Sequence, residues 1–440
     1  MKTILSLNAF DAKNTDDLKP EIKEHALRRL KTFGDATVLF YHEPIDMSYG
    51  KGCWLYDKAG NKYLDCYNNV ACVGHGHPRV AEYVGKQLKL LNTHTRYMTE
   101  IVDNYAEKLL SKFPEELSNV TFTCTGSESN DLALREAFYF TGGQGIIVTE
   151  AAYHGNSYLT TCVSPNSFKD GKIPQWVKTI PTPDTYRIPD SQIADYFAEN
   201  VQKAIDEFKK EGIKFAGILF DSIFSSDGVF AGPCGFIKKA IDIVHKEGGV
   251  FICDEVQPGF GRTGKMWGFM RHGVTPDIVT MGKPMGNGYP MAAVVTRPEI
   301  LSCFCSKVGY FNTFGGTPGA CAAGTAVLEI IEEDQLAEKA AVNGDYLREQ
   351  IRKIQSKHPS IGDVRGVGLF TGVEIVKNGN EPDEDTCTAL INALKEEHVL
   401  IGAAGPNANV LKVRPTLRFE HDDADFFASA LDKALTSLGI

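Results

Sequence analysis

The chain has 440 residues, 43% of them hydrophobic and 23% charged, and a formal net charge of -10. That length exceeds what one small core organises and points to two domains of an ordinary globular protein. The acid excess excludes nucleic acid or an anionic membrane as the main partner, and no segment approaches the ~20 apolar residues that span a bilayer.

In chain order, Met1–Asp11 holds a short apolar run broken by Asn8 and no small-residue cleavage site, so no signal peptide is expected. Strand-like Cys53–Tyr56 and Lys62–Leu64, joined by Asp57–Asn61, are expected to pack with the C-terminal part. Val120–Cys124 reads as a strand and Ser127–Tyr139 as a helix. Further strands are expected at Gly145–Thr149, Phe215–Phe220, Val250–Cys253, Asp277–Met281 and Ala292–Thr296, with a helix over Phe236–Glu247. Their apolar runs are continuous, not alternating, which suits strands buried on both faces. Strands separated by helices imply right-handed crossovers and a mostly parallel sheet.

After Gly316 the pattern changes. Helices are expected at Gly319–Glu332, Gln335–Lys357, Thr386–Glu397 and Asp422–Leu438, with strands at Leu369–Val376 and Val410–Val413. The expected division is 1–59 as an N-terminal segment joined to a small domain, 60–315 as a large domain, and 316–440 as the small α+β domain. The 11 cysteines are scattered without a Cys-x-x-Cys pair. They read as reduced thiols in a cytoplasmic protein.

Four features carry chemistry together. Asp254 ends a buried parallel strand, where ligands bind, and can face a cationic ring nitrogen. Lys283, between Gly282, Gly286 and Gly288, is placed for desolvation, which makes its amine a nucleophile toward an aldehyde. Thr125-Gly-Ser-Glu-Ser-Asn130 opens a helix and reads either as an anion seat or as a capping box. Tyr153-His154-Gly155 offers an aromatic ring for a flat cofactor or for the core.

Two other motifs carry less. Gly259-Phe-Gly-Arg-Thr-Gly264 matches a dinucleotide fingerprint but opens no helical pattern. His75 and His77 resemble a metal pair but have no third ligand nearby and read as turn residues, so no metal is expected.

The run Phe251-Ile-Cys-Asp-Glu-Val-Gln-Pro-Gly-Phe-Gly-Arg-Thr-Gly264, followed by Lys283, resembles the class III pyridoxal-phosphate aminotransferases. So do Gly74-His-Gly-His-Pro78, Thr125-Gly-Ser-Glu128, Tyr153-His-Gly155 and Asn312-Thr-Phe-Gly-Gly316. The resemblance implies an α/β fold of pyridoxal-phosphate fold type I, with a mostly parallel seven-stranded sheet between helices in a large, cofactor-binding domain. It implies pyridoxal 5'-phosphate in Schiff-base linkage to Lys283, with Asp254 holding the ring nitrogen protonated. Val256 and Tyr153, the latter followed by His154, would lie against the ring, Gln257 near its hydroxyl, and Gly126 and Ser127 on the phosphate. Thr313 would reach the phosphate of a neighbouring subunit, which implies a homodimer with shared sites.

Within that class the chain is similar to the branch of ethanolamine-phosphate phospho-lyase and alanine–glyoxylate aminotransferase 2-like proteins. Where many members have Glu-Pro, this chain has Asp221-Ser222. Where many carry an Arg near the C-terminal strand, it has Lys412, followed by Arg414. Those two cations, with Arg96 and Arg187, are candidates for binding a substrate anion. The expected activity is transfer of an amino group from an ω-amino acid or amine to a keto acid. Alternatives are a phospholyase acting on phosphoethanolamine-like substrates and an amino-acid racemase.

Overall fold

The computed structural model describes residues 8–36, 38–168 and 171–440. Most of the stretch read for a signal peptide lies outside the described residues.

Seven strands form the central sheet, in the order Asn119–Thr123, Ala292–Thr296, Ile278–Met281, Val250–Asp254, Phe215–Phe220, Gly145–Thr149, Val177–Ile180. Ala292–Thr296 runs antiparallel to both of its neighbours, and all the other neighbouring pairs are parallel. The continuous apolar runs have a direct cause. Successive side chains point to opposite faces, and both faces are covered. Ile147, Phe220, Phe251 and Val279 enter one buried cluster, while Ile146, Leu219, Ile252 and Ile278 enter the other.

Expected elements appear with ends shifted by one or two residues: the helix at 127–139 spans Gly126–Thr141, and that at 335–357 spans Leu336–Gln355. The strand Val177–Ile180 and the helix Asp190–Glu211 were not expected. The strand is four residues at the sheet edge with only its ends buried, so no long apolar run marks it.

A second sheet joins the hairpin strands Met47–Lys51, Trp54–Asp57 and Lys62–Asp65 to Val399–Leu400, with Val399 opposite Leu64. The N-terminal segment and the C-terminal region thus share a sheet, which continues past residue 59 to Asp65. A third holds Ile361–Val367, Phe370–Lys377, Val410–Val413 and Gly402–Ala404.

The glycine-rich loop at 259–264 is a packing element. A Cβ on Gly264 would lie 2.9 Å from Cβ of Ala341, on the helix Leu336–Gln355. The close approach buries Arg262, whose Nη1 donates to the carbonyls of Leu369 at 2.9 Å and Pro415 at 2.6 Å. No helix among the described residues is long and apolar enough to cross a membrane.

Candidate active site

The carboxyl ends of the central strands open into a cavity of about 430 Å3. Asp254 ends the central strand of the seven and is buried. Its Oδ2 accepts from Nδ2 of Asn130 at 2.9 Å and lies 2.8 Å from Nδ1 of His154, while its Oδ1 accepts from the N–H of Val256 at 3.0 Å. Burial alone would raise this carboxyl. The His154 contact, the Val256 N–H and the nearby Lys283 outweigh it and hold the group below its ordinary value.

Lys283 follows the strand Ile278–Met281 at a φ of 33° and starts a short turn to Gly286. The side chain of Asn287 ties that turn to the backbone of Val73 and Gly74, with contacts of 3.0 Å each. The Lys283 side chain lines the cavity and is exposed to it. Desolvation first, then the positive charge of Arg414, lower its amine to about 8, against the opposing pull of Asp254 and Asp221.

The helix Gly126–Thr141 begins at the cavity wall. Both readings of its start hold at once. Oγ1 of Thr125 accepts from the N–H of Glu128 at 3.1 Å, and Oε2 of Glu128 accepts in return from the N–H of Thr125 at 3.3 Å, which completes a capping box, and from the N–H of Cys124 at 2.6 Å. The first helical N–H groups, at Gly126 and Ser127, stay on the lining, where a helix N-terminus favours an anion. Two positions there require glycine. A Cβ on Gly126 would lie 3.0 Å from Cγ2 of Val256, and one on Gly155, whose φ is 142°, would lie 2.6 Å from Oγ of Ser127. Ser127 Oγ donates to Asn156 Oδ1 at 2.9 Å.

Tyr153, His154, Val256 and Gln257 also line the cavity. Tyr153 is half-buried, and burial pushes its phenol up. Cys124, Asn156, Asp221 and Tyr289 line the same space and were not expected as site residues. Asp221 is legible only as a departure from the family pattern, and no local motif marks Tyr289.

The candidate anion binders fare differently. Lys412 is buried beneath the wall, and its amine is lowered first by desolvation and then by Arg414. Arg414 follows the strand and bonds to Gln257. Arg187 is taken up by Asp184 at 2.8 Å, Glu374 at 3.0 Å and the Asn380 carbonyl at 3.0 Å, so it staples the small domain instead of facing the cavity. Arg96 and Thr313 are exposed and are not among the residues lining this chain's cavity; Arg96 lies 3.9 Å over the Phe311 ring. His75 bonds to Asp65 at 2.7 Å, and Nε2 of His77 lies 3.3 Å from Arg418.

The cavity therefore joins an anion seat, a slot between an aromatic and a branched side chain, an ionised carboxylate and a lowered amine. Residues 40–435 match the family "Aminotransferase class-III". The chain is 40% identical to the alanine–glyoxylate aminotransferase 2-like protein of Drosophila melanogaster, covering 93% of this chain and 86% of that one. It is 39% identical to ethanolamine-phosphate phospho-lyase homolog 1 of Caenorhabditis elegans, covering 94% of each. Among solved structures, a phospholyase from Arthrobacter in complex with phosphoethanolamine superposes with a TM-score of 0.91 at 40% identity, covering 94% of this chain and 99% of that one. A Bacillus anthracis aminotransferase superposes with a TM-score of 0.84 at 30% identity, covering 98% and 100%. The chain belongs to the class III aminotransferases, enzymes of fold type I that work with pyridoxal phosphate.

Proposed function

We propose that the chain transfers an amino group from an ω-amino acid or amine to a keto acid. The observation that carries this reading is that Lys283 and Asp254 share one cavity, the amine lowered toward neutrality and the carboxylate held ionised.

The residues fit pyridoxal phosphate. Gly126 and Ser127 would hold its phosphate, Tyr153 and Val256 would flank the ring, Gln257 would meet the ring hydroxyl, Asp254 would face the ring nitrogen, and Lys283 would bond the aldehyde. The glycines at 126 and 155 keep the seat open where a Cβ would collide. When bound, the cofactor supplies an electron sink for the substrate carbon that loses a proton. Lys283 takes that proton at Nζ and can return it at a second carbon. His154, Asn130 and the Val256 N–H keep Asp254 ionised and correctly turned.

A second reading is elimination of ammonia and phosphate from phosphoethanolamine-like substrates. The likeness to the Arthrobacter phospholyase favours it. So does Asp221, which stands where many members have Glu and is fixed by the N–H of Ile223 at 3.0 Å and by the N–H and Oγ of Ser225 at 2.9 Å each. A carboxylate so held is poorly suited to swing between two substrates. Incubation with phosphoethanolamine and no keto acid separates the readings. Amine consumption only when a keto acid is present is the expected result. Phosphate release without one would replace the transferase reading, and interconversion of amino-acid enantiomers alone would indicate a racemase.

The same proposal includes a homodimer in the cytoplasm. Support for the dimer comes from exposed Tyr97 and Phe311, whose rings lie 5.1 and 5.7 Å from that of His94, and from exposed Phe314 next to Thr313 in sequence, since exposed apolar side chains gathered together favour a second copy. Support for a reducing compartment comes from the free cysteines, seven of which are buried. Light scattering of the purified protein is expected to give twice the chain mass.

A further inference from the structure

Arg414, from the small domain, bonds to Gln257, which lines the cavity, and its surroundings limit what it can do. Its guanidinium lies 4.8 Å over the Tyr67 ring, and its backbone N–H donates to the Cys66 carbonyl at 2.8 Å. Its Nη1 donates to Oε1 of Gln257. Nε2 of Gln257 donates to Oγ of Ser225 at 2.8 Å, and that Oγ donates to Oδ2 of Asp221 at 2.9 Å.

The direction of this chain is set at both ends. A guanidinium can only donate, so Gln257 must turn its carbonyl oxygen toward Arg414. An ionised Asp221 can only accept, so Ser225 spends its single proton there and can only accept from Gln257. Burial and the neighbouring Asp254 push the Asp221 carboxyl up, but the N–H groups of Ile223 and Ser225, from which it accepts, oppose that rise and suit the ionised form. The Gln257 amide thus has its oxygen occupied and one N–H left over, in a residue that lines the cavity. With its oxygen turned to Arg414, the group it has free for a ligand is that N–H donor.

We infer that Arg414 is a positioning residue, which through Gln257 sets the cavity wall as a hydrogen-bond donor beside Lys283, and is not a clamp for the substrate's anionic group. The inference rests on the cofactor reading above. The charged groups bearing on Lys283 are Arg414, Asp254, Asp221 and Lys412. Removing a donor and a positive charge from that set favours protonation near the lysine nitrogen.

The test uses enzyme reconstituted with pyridoxal phosphate and the pH midpoint of its visible absorbance. Arg414→Met and Gln257→Ala are each expected to raise the midpoint by about one unit. Arg414 also acts on Lys283 by its own charge, so if it works through Gln257 as well, the double variant shifts by clearly less than the sum of the two single shifts. Additive shifts overturn the inference. So does an unchanged midpoint in Arg414→Met with a rise of about tenfold or more in the phosphoethanolamine concentration needed to perturb the spectrum, as a direct anion contact would give. Ser225→Ala breaks the relay from its other end and serves if Arg414→Met does not fold; it is expected to shift the midpoint the same way, and no shift overturns the inference. A wild-type protein that takes up no cofactor band would instead overturn the cofactor reading itself, and this inference with it.

Discussion

Nδ1 of His154 lies 2.8 Å from Oδ2 of Asp254, the oxygen that also accepts from Asn130. Because an ionised carboxylate only accepts, His154 must carry its proton on Nδ1, while its buried Nε2 has no partner among the described residues. The histidine is therefore the chief counterweight to the burial of Asp254.

Removing it exposes that balance. In His154→Ala, burial should prevail and the Asp254 carboxyl should rise, shifting the acid limb of the rate profile upward by about one unit. The sign for stability follows. A carboxyl held below 3.8 stabilises the fold above that pH and loses its contribution as pH falls through the lowered value. Rates of the wild type and variant measured from acid to neutral pH check this. Superimposable profiles would show that His154 does not set the charge of Asp254.

Lys283 titrates at about 8 in the folded chain, against an ordinary 10.5. Cofactor uptake requires the neutral amine, so the rate of absorbance growth after adding pyridoxal phosphate to the cofactor-free protein should climb with pH and level off above about 8. Between about 8 and 10.5 the unfolded chain holds a proton there that the folded chain does not, so this group makes the cofactor-free protein gain stability as pH rises through that window. Lys283→Met should remove that part of the melting-temperature slope. A rate still climbing steeply near 10 would refute the lowered amine.

Gly126 and Val256 meet from opposite walls. A methyl at 126 would stand 3.0 Å from Cγ2 and 3.2 Å from Cγ1 of Val256, so the branched side chain must turn or move. Gly126→Ala should weaken retention of pyridoxal phosphate by about tenfold, the scale of 1 to 2 kcal/mol of overpacking. Val256→Ala in the same chain should recover most of the loss. Equilibrium dialysis of the two variants decides it, and no recovery would place the damage in the helix start itself.

Much of this site is legible because its parts are local. Asp254 is marked by a strand end, Lys283 by a glycine-enclosed turn, and Gly126 by a strand-to-helix junction, each a few residues long. Arg187 looked equally suited to an anion, yet its partners Glu374 and Asn380 lie more than 180 positions away and consume its donors. The loop at 259–264 has the spacing of a phosphate binder, but Gly261 and Gly264 answer to Ala337 and Ala341 on a distant helix, and Gly259 to the Glu255 carbonyl and the Trp267 ring.

The order of residues alone determined six of the seven strands of the central sheet, the pairing of a lysine with a carboxylate, and the family, because apolar period and short motifs are written along the chain. Tertiary structure alone decided that Arg414, Gln257, Ser225 and Asp221 form one directional relay and that Lys412 is buried below it. Hydrogen bonds are spent on whichever partners folding brings within about 3 Å, and that proximity has no trace in sequence spacing.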